Sequence, residues 1–303
     1  MPSKRKKRLS MTETVQSYAM ISVGVIGLFI FVVLPLLWVL RYCMFSYKGF
    51  GQIRFVGFDN FVRVFQRSPK FWLSVRTTFI FAIGKLCVEL PLALVLACML
   101  AKKLKGRTFF RSLFFMPSML SVAVIGVIFS YMFSSYNGVV NEIIKIFNGV
   151  GGVRFFSDAK LALIVLMVAS VWQNFGFNML FFMTGLQSIP EDLYEAARID
   201  GATERQQFFK ITIPMLGPVI QMVVLNALLG SLKVTDLVLV LTDGNPLGQT
   251  ETIMTYVYKQ FFSGAGSAPD YGYASALVVV SAVILGIVTV IYLTSTKKGS
   301  EIY

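Results

Sequence analysis

An all-α membrane protein with six transmembrane helices is the fold class this sequence predicts, and three observations predict it. Hydrophobic residues make up 56% of the 303 residues and the mean hydropathy is +0.71, more apolar surface than an ordinary soluble core conceals. Five stretches, 14–40, 112–141, 161–190, 211–232 and 271–296, carry no charged residue, and each is long enough to cross about 30 Å of hydrocarbon. Between two of them lies one strongly polar segment, 188–218, SIPEDLYEAARIDGATERQQFFKITIPMLGP, which spells two short helices instead of a plain connection.

Taken in order, the first span, 18–42, follows a basic N-terminus, 1–17, with the run Lys4-Arg5-Lys6-Lys7-Arg8. Its uncharged run is too long for a secretory signal and lacks a convincing small-residue cleavage site, so it reads as a retained anchor. The second, 74–101, is broken from Thr77 onward only by Lys85 and Glu89, four apart on one helical face. A charge in hydrocarbon costs at least about 2.5 kcal/mol. Two readings follow: Lys85 contacts an anionic substrate such as a uronate or glycerol phosphate, or the two residues form a self-compensating pair facing the bundle interior. The third to sixth spans fall at 112–134, 161–186, 213–242 and 272–296, with Pro35, Pro91 and Pro117 marking kinks.

An even count puts both termini on one side of a transmembrane domain, 18–296, and the basic N-terminus with Lys297-Lys298 in the tail 297–303 assigns that side to the cytoplasm. Lys102, Lys103, Lys105, Arg107 and Arg111 fall there too. The opposite loop carries Lys48, Arg54, Arg63, Arg67, Lys70 and Arg76, so charge alone decides weakly, and the orientation rests on the polar segment.

In that segment Ser188 and Glu191 have the form of a capping box, with Pro190 in the first turn. The helix they open runs through Leu193, Glu195, Ala196 and Ala197 to Gly201, a residue suited to the left-handed helix end. Thr203 with Gln206 repeats the capping pattern and opens a second helix through Phe208, Phe209 and Ile211 to Pro214. Glu195-Ala196-Ala197, then Asp200-Gly201-Ala202, then Ile211-x-Ile213-Pro214, resembles the EAA loop of ABC-importer permease subunits. The resemblance implies a type I importer permease fold whose loop, 188–213, between spans four and five, is a cytoplasmic coupling helix. There it docks into a groove on an ATPase subunit and passes on its closure. The residue chemistry agrees: Ala196 and Ala197 allow close approach, and Glu195 offers a carboxylate to a basic partner. The alternative is a helical hairpin on lipid headgroups, which usually carries more cations than Arg198, Arg205 and Lys210.

The resemblance covers nearly the whole chain. Phe55-Val56-Gly57-Phe58-Asp59-Asn60-Phe61 with Phe71-Trp72, and Arg111-Ser112-Leu113-Phe114-Phe115-Met116-Pro117, are similar to segments of carbohydrate-importer permeases of the maltose and glycerol-phosphate type. So are Lys233-Val234-Thr235-Asp236, Leu241-Thr242-Asp243-Gly244-Asn245-Pro246 and Asp270-Tyr271-Gly272-Tyr273-Ala274-Ser275-Ala276. Thr235 departs where an aromatic is common, and Asn245 where glycine is common. The same likeness implies a substrate path lined by Ser170, Trp172, Gln173, Asn174 and Phe177 on the fourth span and by Gly230, Ser231 and Val234 on the fifth. Amides, hydroxyls and aromatic rings suit sugar hydroxyls and C–H faces. Interhelical hydrogen bonding that holds the bundle together explains Trp172, Gln173 and Asn174 equally well. Lys233 and Asp236 are expected to stabilise the outer end of the fifth span. The implied partners are a second, related permease subunit in a heterodimer around which the first span wraps, two ATP-binding subunits, an extracytoplasmic solute-binding protein, a sugar or sugar derivative, and membrane lipid of the cytoplasmic membrane.

Other classes are excluded on stated grounds. No G-x-x-x-x-G-K-[ST] occurs, so ATP hydrolysis is assigned to a partner chain and not to this one. The chain has no histidine, which removes zinc-protease and Ser-His-Asp chemistry, and no enzyme activity, cofactor or metal is expected. Its net charge of +13 is scattered over helix flanks and forms no nucleic-acid face. Cys43, Cys87 and Cys98 lie in or beside apolar spans and read as buried packing residues. A permease for another solute or a self-sufficient secondary carrier remains the alternative; a carrier would have no evident use for the polar two-helix loop.

Overall fold

The structure, a computed structural model, describes residues 11–49, 51–101, 105–149, 152–262 and 269–300. The basic run at 4–8, Lys102, Lys103 and the last three residues of the tail lie outside the described residues. The chain divides into two compact units, residues 1–67 with 260–280, and residues 68–259 with 281–303.

In the first unit, α1 (Met11–Leu28) and α2 (Leu34–Tyr42) join through a π turn, Phe29–Val33, into one apolar rod of which the span Val15–Tyr42 is nowhere buried at its most apolar stretch. Pro35 lacks an N–H and its ring crowds the carbonyl four residues back, so the ladder widens just ahead of it. A short antiparallel ribbon follows, β1 (Phe45–Ser46) with β2 (Arg54–Phe55), and then α3 (Asp59–Gln66). The buried Asn60 amide donates to the Cys43 and Phe45 carbonyls, each at 3.0 Å, and so fixes α3 against the ribbon. Arg63 pairs with Asp270 at 2.6 Å and lies 4.0 Å over the Tyr273 ring.

The second unit begins with α4 (Pro69–Ala101), which stays one helix through Pro91. Next come α5 (Arg107–Phe115), α6 (Val122–Met132), α7 (Val139–Asn148) and α8 (Ala159–Gln187). The polar segment forms α9 (Glu191–Ile199), α10 (Glu204–Gln207) and α11 (Ile213–Met215), followed by α12 (Gly217–Leu232), α13 (Asp236–Leu241) and α14 (Ile253–Phe262). The last helix, α15 (Tyr271–Ser300), contributes residues to both units, as does α14, whose last three residues belong to the first.

Among the described residues four helices, Val15–Tyr42, Pro69–Ala101, Ala159–Gln187 and Tyr271–Thr296, are long and apolar enough to cross a bilayer. Two bent pairs, Arg107–Met119 with Val122–Met132 at 97° and Glu204–Met215 with Gly217–Leu232 at 67°, make six if each pair is one crossing. The first bend sits where Pro117 forces a 3-10 turn, Met116–Met119, after which Ser121 caps α6. Three details differ from the sequence reading. The stretch 213–242 is broken twice: at Leu216, and again at 233–235, where Lys233 and Asp236 flank the gap between α12 and α13. Helices α7 and α14 lie where no element is predicted, being short and amphipathic instead of spanning. Cys43 is buried, but Cys87 is exposed, because it shares the outward stripe of α4 with Ile80 and Ile83.

The most extensive packing is between α4 and α8, which run in the same direction. Phe81 with Val165, Leu166 and Ala169 belongs to one apolar cluster, joined by Ile125 and Phe129 of α6 and by Leu237, Val238 and Leu241 of α13. Ala93, Ala97 and Leu100 with Met179, Phe182 and Met183 belong to a second, completed by Val223 of α12. Two helices that share first an early and then a late cluster must be parallel, as alternate crossings of one chain are. Gly176 marks the closest approach to α8: a Cβ there would lie 1.9 Å from the Phe114 carbonyl oxygen, so only glycine lets the α5 backbone in.

Candidate functional site

The elbow at 188–216 is built from its helix ends. Ser188 does not cap α9: its hydroxyl donates to the Gly185 carbonyl at 2.8 Å and closes α8, and Pro190 in extended conformation starts α9 with no side-chain cap. The expected Ser188/Glu191 box is therefore absent, because Ser188 is the helical C-cap of α8 and the N-cap position of α9 falls two residues later, on Pro190. Glu191 and Asp192 in the first turn and Arg198 in the last still complement the helix dipole. At the far end Gly201 has φ +77°, the Gly201 N–H bonds the Arg198 carbonyl at 3.1 Å, and the Ala202 N–H bonds the Ala197 carbonyl at 2.9 Å. This pair of bonds is a Schellman ending, and it reverses the chain sharply.

The second capping box forms as read: the Gln206 N–H reaches the Thr203 hydroxyl at 3.3 Å and the Thr203 N–H reaches the Gln206 side chain at 2.8 Å. Beyond it the helix widens into a π turn, Phe208–Thr212, which absorbs the N–H missing at Pro214, so the helix passes that proline and bends only at Leu216. Tyr194 and Thr212 hydroxyls meet at 2.9 Å and tie α9 to that turn. Glu195, Ala196, Asp200 and Gly201 are exposed, while Ala197 and Ala202 are half-buried. Ala197, Asp200, Gly201, Ala202, Lys210 and Ile211 are among the walls of a cleft of about 370 Å³ inside the elbow. Ile199 at its tip is 87% exposed, a feature missed by the sequence reading, whose one signal is an isoleucine directly before the Asp-Gly turn. Five carboxylates, Glu191, Asp192, Glu195, Asp200 and Glu204, face three cations, Arg198, Arg205 and Lys210, so the elbow is acidic on a chain of net charge +13.

Residues read as a substrate path divide over two places. Gln173, Asn174 and Phe177 share one stripe of α8, half-buried or exposed, with Phe177 edge-on to Phe181 at 4.9 Å. The Asn174 amide donates to the carbonyl of the buried Ser170 at 2.8 Å, within its own helix. Trp172 points away from that stripe, 5.7 Å from Phe129, and packs with Val234 on the first apolar cluster. Gly230 is exposed, whereas Ser231 is buried with its hydroxyl on the Ala227 carbonyl at 2.6 Å.

Between the two apolar clusters lies a polar contact that joins α4 to α8. Lys85 and Glu89 pair at 3.2 Å with side chains 5% and 0% exposed, and the Asn178 amide gives Glu89 a short hydrogen bond. A buried, already paired Lys85 fits the self-compensating reading and has no face for an anionic substrate. Asn178 is the partner that the sequence reading left out.

A membrane permease built from bent and straight crossings with a projecting polar elbow is the class these features define. The chain belongs to the family described as binding-protein-dependent transport system inner membrane component, which it matches over residues 89–296. It is 33% identical to the probable ABC transporter permease protein YesP of Bacillus subtilis, over 95% of this chain and 92% of that protein. It is equally 33% identical to the trehalose/maltose transport system permease protein MalF of Thermococcus litoralis, over 79% of each. Among solved structures, the bacterial alginate ABC transporter in complex with an alginate pentasaccharide-bound periplasmic protein has a chain that superposes with a TM-score of 0.81 at 25% identity, over 93% of this chain and 94% of that one.

Proposed function

We propose that this chain is the transmembrane subunit of an ABC importer that carries a sugar or sugar derivative inward, driven by a separate ATPase. The observation that carries the proposal is the elbow: an acidic hairpin with Glu195, Ala196, Asp200 and Gly201 uncovered, on a chain with no phosphate-binding loop in its sequence. A basic groove on a nucleotide-binding subunit complements it in charge, and Ile199 supplies an apolar plug. Sugar as cargo is supported by the trehalose/maltose relative and by the alginate importer, and the solute-binding partner by the periplasmic protein in that complex.

In this reading both termini and the elbow are cytoplasmic, and a related permease completes the path, with the uncovered first span laid against it. ATP closes the ATPase dimer and draws both elbows together. The helices fused to each elbow, α8 before it and α12 after it, tilt the two permeases outward-open; hydrolysis returns them and releases the sugar inward. Gln173, Asn174 and Phe177 meet the sugar along the exposed stripe of α8, while Trp172 and Val234 hold the wall behind it. Glu195→Ala and Gly201→Trp in the assembled importer are expected to leave membrane insertion intact but lower uptake about tenfold or more relative to ATP turnover, one lost charged contact being worth roughly 1.5–3 kcal/mol. Uptake and substrate-stimulated ATPase at wild-type ratio in both variants would contradict the coupling role.

A further inference from the structure

At the end of α8 opposite the elbow, about 43 Å away for 29 helical residues, lies a second cavity, of about 510 Å³. Ser134 and Tyr136 from the turn after α6, Phe156 just before α8, and Thr242 and Asn245 from the turn after α13 line it over a floor of Leu241. Its size falls within the roughly 300–1,000 Å³ of small-molecule sites.

Both walls are held by hydrogen bonds that do not involve a ligand. The buried Asn141 amide donates to the Ser134 carbonyl at 2.9 Å and to the Val153 carbonyl at 3.0 Å, and accepts from the Val153 N–H at 2.8 Å, so the segments on either side of α7 are stapled together. On the other wall the Thr250 hydroxyl reaches Thr242 at 2.9 Å and the Asn245 carbonyl at 2.8 Å, and Lys259 pairs with Asp243 at 3.0 Å. A site whose walls are fixed beforehand loses little ordering entropy on binding.

The lining selects the chemistry. No ionisable carboxylate, lysine or arginine contributes to it, which disfavours a charged ligand. The Ser134 and Thr242 hydroxyls are committed to backbone groups and to Thr250. Tyr136, 84% exposed, and Asn245, also exposed, stand at the open rim of the cavity; among the described residues neither the Tyr136 hydroxyl nor the Asn245 carboxamide has a protein partner, and the Phe156 ring lies among the lining beside them. A phenol, an amide and an aromatic face around a neutral hollow match the hydroxyls and C–H face of a pyranose ring.

We infer that this cavity is an outer subsite that receives one neutral sugar unit before it enters the path along α8. The inference rests on the sugar-import reading and adds a place to it. Its floor, Leu241, and one wall, Phe156, pack in the same apolar cluster as Trp172 and Val234, so the cavity adjoins the wall behind the expected path at the end of α8 opposite the elbow.

The test uses liposomes holding the complete importer and its binding protein, with trehalose or maltose as cargo. Tyr136→Phe and Asn245→Gly are each expected to lower uptake roughly three- to tenfold at saturating binding protein, the effect of one lost hydrogen bond. The concentration of binding protein that half-stimulates ATP hydrolysis should stay unchanged. Unaltered uptake in both variants overturns the subsite. So does a loss that appears only as weaker binding-protein stimulation and vanishes at saturation, since the cavity would then seat a loop of that protein. A wild-type importer that moves neither of these sugars, nor lactose nor an arabino-oligosaccharide, would instead remove the neutral-sugar reading, and the subsite with it.

Discussion

Lys85, Glu89 and Asn178 show how a single side chain can hold two crossings together. In a low-dielectric interior, desolvation of two charges can outweigh their attraction, so the pair adds little by itself; what is severe is to leave one of them alone. Glu89→Ala strands the Lys85 ammonium between the two apolar clusters and is expected to destabilise the protein by about 3–5 kcal/mol. Lys85→Met combined with Glu89→Gln removes both charges, keeps an acceptor for the Asn178 amide, and should recover most of that loss. Thermal unfolding in detergent measures both, and equal destabilisation by the single and double variants would contradict the account. The i,i+4 spacing made the ion pair legible in the sequence, because it is local. Asn178 was not legible: it lies 89 positions from Glu89, and only the parallel packing of α4 on α8 brings them together.

Helix ends obey the same division between local and distant information. Gly201 and the Thr203/Gln206 box could be read because every partner lies within a few residues. Ser188 could not, since whether it ends α8 or opens α9 depends on how far α8 continues. The turn between α13 and α14 is a further case. The Leu241-Thr242-Asp243-Gly244-Asn245-Pro246 motif was visible, but not the role of Lys259, which bonds Asp243 at 3.0 Å and Glu251 at 2.9 Å and so ties α14 across the turn. Burial pulls the Lys259 pKa down, but the hydrogen bonds and charges of Glu251 and Asp243 outweigh it and hold the pKa above the ordinary lysine value. A raised lysine pKa stabilises the fold fully below the unfolded value of about 10.4 and loses that contribution as pH rises through the folded value. Lys259→Met is therefore expected to lower stability by about 1 kcal/mol at neutral pH, the ammonium being partly exposed. Melting temperatures followed against pH should show the gap to wild type constant from pH 7 to about 10 and closing above it. A gap that closes on acidification instead would contradict the assignment.

For the molecule as a whole, the count of apolar stretches conveyed the class, and the two bends set the limit of what could be read. A proline announces a kink without its angle, and neither 97° nor 67° follows from composition. The break at 233–235 likewise depends on α13 folding back onto α6, a contact between distant segments. What the sequence displays most directly is the elbow, and its acidic, uncovered surface is the basis for the role proposed for it, transmission between a motor and a path. A photo-crosslinking residue substituted for Ile199, 87% exposed at the tip, tests this directly in the assembled importer. Illumination should join this chain to the nucleotide-binding subunit, with a yield that changes when ATP is added. Adducts confined to lipid or to the solute-binding protein would contradict it.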